Sequence, residues 1–333
     1  MNVLVTGGAG YVGSHAVAIL RAAGHDAWVI DNLSRGHKSA VPADRFVEGD
    51  LADRPLLKRL LREHRIDAVM HFAAHSQVGE SMVNPAIYYE NNITNSISLL
   101  EAMRDCRVWR IVFSSSAAVY GQPETMPIVE DTLKQPINPY GFSKLAVEQA
   151  LDDYARAYGF GFAALRYFNA AGAAADGALG EDHAVESHLI PLILEVALGQ
   201  RESIKIFGND YPTPDGTCVR DYIHVDDLGR AHLAALERLE RGKGMKMNLG
   251  VGHGFSVREV VEACRRETGH PIPTQSAPRR EGDPPVLVAD PSRARELLSW
   301  RPQFADIGAI VATAWRWHRE HPDGYESTKL AAE

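Results

Sequence analysis

The sequence contains few cysteines and no long apolar run, and each absence excludes a class of protein. Only three cysteines occur in 333 residues, and Cys106, Cys218 and Cys264 lie far apart in the chain. This spacing is not that of a disulfide framework or of a cysteine-ligated metal site. We therefore predict reduced, structural thiols and no bound metal. No apolar run approaches the roughly 18 residues that a membrane span needs, so we predict no membrane partner.

A basic block is also missing. The formal net charge is −8, and the 35 lysines and arginines are dispersed along the chain. The electrostatic footprint of a nucleic-acid-binding protein is therefore absent, and we predict no nucleic-acid partner. An anionic ligand would have to be held by a few individually placed cations. The first predicted strand starts almost at Met1, which leaves no room for a signal peptide, so we expect a cytoplasmic protein.

A glycine-rich turn near the N-terminus is the most informative feature that is present. An apolar run at residues 3–5 leads through Thr6 into glycines at 7, 8, 10 and 13, and an amphipathic segment follows. Glycines 8, 10 and 13 fit the dinucleotide fingerprint, and glycines 7, 10 and 13 fit its wider-spaced variant. Either spacing gives a tight turn, a backbone that a pyrophosphate can approach closely, and a helix N-terminus with free N–H groups.

An acidic residue follows the glycines at the distance that a dinucleotide site requires. Residues 27–31 predict a second strand that ends at Asp31, about twenty residues beyond the glycine turn. A carboxylate at this position accepts hydrogen bonds from the ribose hydroxyls and repels a 2′-phosphate. The pattern therefore favours NAD over NADP as the cofactor.

Strands and helices alternate through the rest of the first half. Apolar runs at 46–48, 68–74 and 111–113 predict strands, and a helical pattern from about 85 to 105 predicts one long helix. Short apolar strands separated by helices are typical of a doubly wound parallel sheet, so we predict an α/β, Rossmann-like fold. Ligands of such sheets bind at the carboxyl ends of the strands.

Asp50 has two possible roles. It follows the third predicted strand, where its carboxylate could accept a hydrogen bond from the adenine amino group of a dinucleotide. It could instead cap the helix that is predicted to begin near Asp53.

The second half is predicted to form a smaller lobe. Residues 1–168 mainly form the dinucleotide-binding domain, and residues 169–333 mainly form a smaller α/β lobe for substrate, although a strand near 247–249 returns to the main sheet. Helices are expected at 187–198, 227–239 and 256–268, with a terminal helix through Trp315. Proline and glycine cluster in three stretches, which predict binding loops: 170–180, 210–216 and 277–285.

Tyr140 and Lys144 form a candidate proton-transfer group. They lie four residues apart at the start of a predicted helix, so they share one helix face. An ammonium near a phenol stabilises the phenolate and lowers the tyrosine pKa. A serine from the run 114–116, at the end of the fifth predicted strand, could donate to the same oxygen. An isolated Tyr–Lys pair is usually a surface contact, but the preceding glycine turn and Asp31 favour catalysis.

These motifs resemble the extended short-chain dehydrogenase/reductase family, and runs in the second half narrow the resemblance to UDP-glucose 4-epimerases. The first set of matching segments is 6–13, 31–33, 114–121 and 139–144, and the second set is 165–169, 207–213, 215–225 and 277–283. The first set is shared by many reductases, whereas the runs 209–213 and 216–224 of the second set are specific. The resemblance covers nearly the whole chain.

The resemblance implies a homodimer that uses bound NAD to interconvert UDP-galactose and UDP-glucose through a transient 4-keto sugar. Ser116, Tyr140 and Lys144 would be the catalytic residues, and Tyr140 and Lys144 would also contact NAD. The other predicted NAD contacts are Gly7, Gly10, Tyr11, Val12, Gly13, Asp31, Asn32, Leu33, Asp50, Leu51, Phe72, Ala73, Asn91, Ser114 and Phe168. The predicted contacts of the UDP-sugar are Ser116, Tyr140, Asn169, His188, Leu189, Lys205, Ile206, Phe207, Arg220, Tyr222, Arg280, Asp283 and Leu287.

Some of these substrate assignments have structural alternatives. Arg220 and Arg280 could fork onto the diphosphate oxygens, or each could serve as an ion-pair partner within the protein. Asp283 could accept from a ribose hydroxyl or pair with a neighbouring arginine.

Three positions depart from the family pattern. A lysine of the family near the nicotinamide is Ser76 here, and an asparagine before Leu189 is His188. A bulky tyrosine found in some members is Leu287, at the position that resembles a gate on sugar size. Acceptance of UDP-N-acetylhexosamines or UDP-pentoses therefore stays open as an alternative.

Two rival functions fit the same scaffold less well. A nucleotide-sugar dehydratase or decarboxylase usually carries an extra acid or base after the fifth strand, where this chain has Ser116 followed by two alanines. A catalytically silent NAD-binding regulator typically loses the tyrosine or the lysine, whereas Tyr140 and Lys144 are both present.

Overall fold

The structure is a computed structural model that describes residues 1–280 and 282–326. Its strands are β1 (Asn2–Thr6), β2 (Asp26–Asp31), β3 (Phe46–Glu48), β4 (Ala68–His71), β5 (Arg110–Ser116), β6 (Gly161–Tyr167), β7 (Asn169–Ala171), β8 (Ile204–Phe207), β9 (Val219–Arg220), β10 (Tyr222–His224), β11 (Gly244–Leu249), β12 (Phe255–Ser256), β13 (Thr274–Ala277) and β14 (Val286–Leu287). Its helices are α1 (Tyr11–Ala22), α2 (Arg54–Glu63), α3 (Val78–Val83), α4 (Pro85–Tyr88), α5 (Asn95–Cys106), α6 (Pro139–Tyr158), α7 (Leu189–Ala197), α8 (Val225–Glu237), α9 (Val257–Thr268), α10 (Ser292–Leu298) and α11 (Ile307–Glu320).

Seven parallel strands form the central sheet in the order β11-β6-β5-β4-β1-β2-β3. Side chains alternate between the two faces of each strand. Val3 and Val5 of β1 therefore belong to one apolar core, with residues of α1 and α8. Leu4 belongs to the other core, with residues of α2 and α5. Helices cover both faces, and the predicted α/β, Rossmann-like class is confirmed.

The second half builds smaller sheets beside the main one. Their strand orders are β10-β7, β12-β9-β14 and β13-β8. Helices α7, α9 and α11 surround a separate core that includes Ile193, Val260 and Ile310. Strand β11 pairs with β6 in the main sheet, so the second half returns to the first. The domain boundary after residue 168 stays a prediction. No helix among the described residues is both long and apolar enough to cross a membrane.

The predicted helix from about 85 to 105 is confirmed as one continuous helical segment, residues 85–106, but a π-helical turn that the pattern did not predict lies inside it. The segment consists of α4, a π-helical turn at Tyr89–Thr94, and α5. Within that turn the Asn92 side chain accepts from the His75 N–H and donates to the His75 carbonyl and to the Ser143 hydroxyl. A π turn inside a helix is rare and is frequent at functional sites. Here it carries Asn91, which lines a cleft at the carboxyl ends of β1, β2, β3 and β4.

Other predicted helices are displaced only at their ends. α7 starts at Leu189 where 187 was predicted, and α8 starts at Val225 where 227 was predicted. The terminal helix α11 continues to Glu320, beyond the predicted end at Trp315.

Candidate active site

A cleft with about 570 Å³ of open space lies at the carboxyl ends of β1, β2, β3 and β4. In a parallel sheet this edge is where ligands bind. Most of the lining comes from the segments that the sequence predicts around a dinucleotide. The predicted cofactor residues among the lining are Gly7, Gly10, Asp31, Asn32, Asp50, Leu51, Phe72, Ala73 and Asn91.

The glycine turn has the geometry that its sequence predicts. Gly7 has φ +69°, and a Cβ there would lie 2.4 Å from the Ala73 nitrogen. A Cβ at Gly13 would lie 2.2 Å from the Gly7 carbonyl oxygen. Gly10 is the N-cap of α1 and has no side-chain cap. The turn is therefore closed to side chains, and the N-terminus of α1 faces the cleft as an anion-binding end.

Asp31 is held in the cleft by the backbone. Its carboxylate accepts from the Ala9 N–H at 3.0 Å and from the Leu33 N–H at 2.8 Å. Burial raises the pKa of Asp31, and the two backbone hydrogen bonds oppose that rise. The carboxylate is thus fixed in orientation at the end of β2.

Asp50 is not a helix cap. Asp53 caps α2 by accepting from the Leu56 N–H at 3.0 Å, so the capping alternative for Asp50 is wrong. The Asp50 carboxylate accepts instead from the Ala52 N–H at 2.8 Å and from the Asn32 amide at 2.7 Å. Asp50 and Asn32 therefore form one polar group in the cleft lining.

Other predicted cofactor residues lie outside the lining of this cleft. Tyr11 donates its hydroxyl to the Gly172 carbonyl at 2.6 Å, which joins the start of α1 to the second half of the chain. Val12 and Leu33 pack against the core on the α1 face of the sheet. Phe168 packs with Leu287 against Val119, Tyr120 and Ile128. Ser76, at the position of the family lysine, is exposed.

The structure brings Ser116, Tyr140 and Lys144 together at the carboxyl end of β5. Asn138 caps α6 by accepting from the Gly141 N–H at 2.8 Å, which places Tyr140 in the first helical turn. The Ser116 and Tyr140 hydroxyls are hydrogen-bonded. The Lys144 ammonium lies 5.9 Å from the centre of the Tyr140 ring. The three side chains are all buried.

The pKa of Tyr140 is not lowered by Lys144, as had been expected, in the protein without ligands. Burial raises the pKa of Tyr140, and the hydrogen bond from Ser116 opposes that rise. Burial also lowers the pKa of Lys144 to about 7, and its ammonium donates to the Ser114 carbonyl at 2.8 Å. The prediction that Lys144 lowers the tyrosine pKa is therefore wrong for the protein without ligands, because desolvation disfavours both charged forms.

The pKa of Lys144 predicts a pH dependence of stability. Since this pKa is about 7 in the folded chain and 10.5 is the ordinary value, the unfolded chain binds more protons between these values. The contribution of Lys144 to the free energy of unfolding then rises with pH from about 7 to about 10.5. Denaturant titrations of dinucleotide-free protein should show this rise, and Lys144→Met should reduce it. Equal slopes for the two proteins over this range would contradict the prediction.

A buried polar network holds the carboxyl end of β5 on the face of the sheet opposite to Ser114 and Ser116. Ser115 points away from Ser114 and Ser116 and donates to Glu148 at 2.6 Å. Arg166 donates to both Glu148 oxygens at 2.9 and 2.6 Å. The sequence reasoning missed this network. One signal was available, because Glu148 lies one helical turn after Lys144.

The predicted diphosphate and sugar residues meet at β9 and β14. Leu287 is in register with Arg220 on the neighbouring strand. Arg220 donates to Asp283 at 2.9 Å, so the ion-pair alternative is observed for these two residues. The guanidinium of Arg280 lies 4.1 Å from the centre of the Phe207 ring.

The other predicted substrate residues differ in how far their side chains are exposed. Ile206 and Tyr222 have buried side chains, and Tyr222 belongs to the core of the second half. Lys205 is exposed on β8. Asn169 begins β7, and Leu189 is the first residue of α7.

His188 lies in a charged cluster. Its Nδ1 atom is hydrogen-bonded to Glu181, and His183 and Glu186 lie beside this pair. Burial opposes protonation of His188, but the nearby Glu181 and Glu186 outweigh it and raise the pKa of His188 to about 9.

Comparisons with known proteins agree with this geometry. The model of the NAD dependent epimerase/dehydratase family matches residues 3–250. UDP-glucose 4-epimerase of Halalkalibacterium halodurans is 52% identical over 98% of this chain and 98% of its own length. That of Streptomyces lividans is 54% identical over 97% and 98%. A crystal structure of UDP-glucose 4-epimerase from Stenotrophomonas maltophila with NAD and formylated UDP-arabinopyranose has a TM-score of 0.94 at 44% identity, covering 97% of this chain and 99% of that one. The chain belongs to the NAD dependent epimerase/dehydratase family.

Proposed function

We propose that the protein interconverts UDP-galactose and UDP-glucose by inverting carbon 4 through a transient 4-keto sugar. The observation that carries the proposal is the buried group of Ser116, Tyr140 and Lys144 at the end of β5, on the same sheet edge as the dinucleotide cleft. Relatives at 52% and 54% identity carry the name UDP-glucose 4-epimerase over nearly their full length.

The cleft fits NAD. The closed glycine turn, the open N-terminus of α1 and the fixed Asp31 carboxylate suit a pyrophosphate and an unphosphorylated ribose. NAD supplies reversible hydride acceptance at carbon 4 of the sugar. The second half of the chain, from residue 169, holds most of the UDP-sugar, and Arg220 and Arg280 supply positive charge for the diphosphate.

Ser116, Tyr140 and Lys144 have different roles in the proton transfer. Tyr140 takes the proton of the sugar 4-hydroxyl and later returns it, and Ser116 shares that proton through its hydrogen bond to Tyr140. Lys144 is anchored on the Ser114 carbonyl, which holds its nitrogen beside the tyrosine. Because burial raises the pKa of Tyr140, its ionisation needs additional positive charge when ligands are bound.

An assay of UDP-galactose without added NAD tests the proposal. An epimerase that retains its cofactor produces UDP-glucose and no net reduced dinucleotide. A dehydratase would produce a dehydrated sugar, and a silent regulator would leave UDP-galactose unchanged. Either of these last results would overturn the proposal.

Leu287, in the second half of the chain, is the residue expected to influence which UDP-sugars are accepted. Leu287 packs against the cluster of Val119, Tyr120 and Ile128, of which the first two follow Ser116 closely in the sequence. We propose UDP-hexoses as the main substrates. UDP-N-acetylhexosamines are the alternative, because leucine is smaller than the tyrosine it replaces. Rates for UDP-hexoses, UDP-N-acetylhexosamines and UDP-pentoses, measured side by side, rank the three classes.

We further propose that the protein works in the cytoplasm, where its three free thiols stay reduced. We also propose that it is a homodimer. Exposed apolar side chains on α3, on the π-helical turn and on α6 support self-association. Val83 is 87% exposed, and Tyr89 and Phe142 are about half as exposed. Light scattering during gel filtration should give twice the 36.6 kDa mass of the chain. A single-chain mass would contradict the dimer.

The charge of Asp31 predicts cofactor selectivity. Asp31→Asn should lower the preference for NAD over NADP by about fivefold or more, because two charges some 4 Å apart repel by about 1–4 kcal/mol near a protein surface. Titration of dinucleotide-free protein with each cofactor measures this preference. Asp53→Asn is the matched control, since asparagine also caps helices and Asp53 caps α2. An unchanged ratio in Asp31→Asn would contradict the assignment.

A further inference from the structure

We propose that Glu181, His183, Glu186 and His188 form a structural zinc site. The four residues lie within one eight-residue segment, just before α7. One ligand atom from each of them can be chosen so that all four lie within 4.8 Å of one another. His188 is also a predicted contact of the UDP-sugar, whereas Glu181, His183 and Glu186 have no part in the proposed epimerase chemistry.

The distances suit tetrahedral coordination. Zinc binds imidazole nitrogen and carboxylate oxygen at about 2.0–2.2 Å, so neighbouring ligand atoms of a tetrahedron lie about 3.3–3.6 Å apart. His183 Nδ1 is 3.2 Å from Glu186 Oε2 and 3.5 Å from Glu181 Oε1. His188 Nδ1 is 3.8 Å from Glu186 Oε1 and is hydrogen-bonded to Glu181. Small side-chain rotations would bring the four atoms to one ion.

Burial and charge also favour a cation. The side chain of Glu181 is 4% exposed and that of Glu186 is 9% exposed. Within residues 1–280 and 282–326, their only salt-bridge partners are His183 and His188. In the protein without metal, His183 and His188 are the charge partners of these carboxylates, and a divalent ion could take the place of the two imidazolium protons. Imidazole ligands favour zinc over magnesium or calcium, and four protein ligands leave no open position, as in structural sites.

The segment 181–188 that carries the proposed ligands also contacts the cofactor-binding half. The Gln77 amide donates to the Val185 carbonyl at 3.0 Å, and the His37 ring is 3.1 Å from the Asp182 carbonyl. The His183 ring also makes an edge contact with Tyr11 at the start of α1. A zinc ion would hold the ends of this segment together immediately before the helix that begins with Leu189.

Metal analysis of the purified protein with its dinucleotide tests the proposal. After chelator treatment and dialysis, addition of Zn²⁺ and gel filtration should leave about one Zn²⁺ per chain. Co²⁺ in its place should give the visible absorption of a tetrahedral complex, and Mg²⁺ should not be retained. Zn²⁺ should raise Tm by about 2 °C or more, since it binds the folded chain.

Matched variants locate the ion. His183→Ala and, separately, Glu186→Gln should lose Zn²⁺ uptake and the Tm rise, whereas His270→Ala, at an exposed histidine elsewhere, should retain both. Dinucleotide content and circular dichroism identify folded variants, and Glu186→Gln serves if His183→Ala does not fold. Absent Zn²⁺ retention, equal retention of Mg²⁺, or unchanged uptake in folded His183→Ala or Glu186→Gln would overturn the proposal.

Discussion

Tyr140→Phe should lower kcat by about 10²- to 10⁴-fold, the usual contribution of a positioned proton-transfer group. The substitution removes the oxygen that is hydrogen-bonded to Ser116, on a ring whose centre lies 5.9 Å from the Lys144 nitrogen. The ring is retained, so packing against Tyr88, whose ring centre is 6.4 Å away, should persist. Initial rates of UDP-glucose formation from UDP-galactose measure the effect.

Tyr154→Phe is the matched control for this prediction. Tyr154 lies on the same helix, and its hydroxyl is also hydrogen-bonded, to Glu101 at 2.6 Å. Loss of that hydroxyl should leave kcat within about threefold of the parent value, because it takes no part in proton transfer. If Tyr140→Phe, with normal dinucleotide content, turned over as fast as Tyr154→Phe, the assignment of Tyr140 would fail.

Arg166→Met should lower the free energy of unfolding by about 3–5 kcal/mol, because it leaves the buried Glu148 carboxylate without its positively charged partner. The Arg166 and Glu148 side chains are 2% and 1% exposed. Arg166 also donates to the Tyr120 hydroxyl at 2.7 Å, so the loss extends to a second buried group. Denaturant unfolding of the variant and the parent protein measures the difference.

Two further variants separate this buried pair from a general effect of lost charge. Replacing Arg166 and Glu148 together by methionine should recover most of the loss, since an apolar pair of similar volume needs no charge partner. Arg156→Met, which breaks the exposed pair of Arg156 with Asp153, should have no measurable effect. A loss below about 1 kcal/mol in Arg166→Met would contradict the account.

Much of the fold could be predicted because the strands of a parallel sheet are continuous apolar runs between helices. β1, β2 and β4 are of this kind, and β2 ends at the predicted Asp31. The π turn at Tyr89–Thr94 could not be predicted, since it accompanies contacts of Asn92 with His75, seventeen residues earlier. Helical periodicity contains no information about such a contact.

Part of the candidate site could likewise be predicted from the sequence, and part could not. Ser116, Tyr140 and Lys144 were identified because two short contiguous motifs contain them. The direction of the Tyr140 pKa in the protein without ligands was predicted wrongly, because the sequence does not show how deeply the phenol is buried. Arg166 and Glu148 were missed because their pairing joins a strand to a helix. The cluster at 181–188 was missed because the search for metal ligands considered cysteine spacing.

The most direct test of the central claim follows the hydrogen on carbon 4. UDP-galactose carrying deuterium at carbon 4 is incubated with the purified protein, and the UDP-glucose formed is examined by mass spectrometry and NMR. Inversion through a 4-keto sugar in a closed site predicts that the deuterium is retained at carbon 4 of the product without added NAD. Replacement of that deuterium by solvent hydrogen would contradict the account.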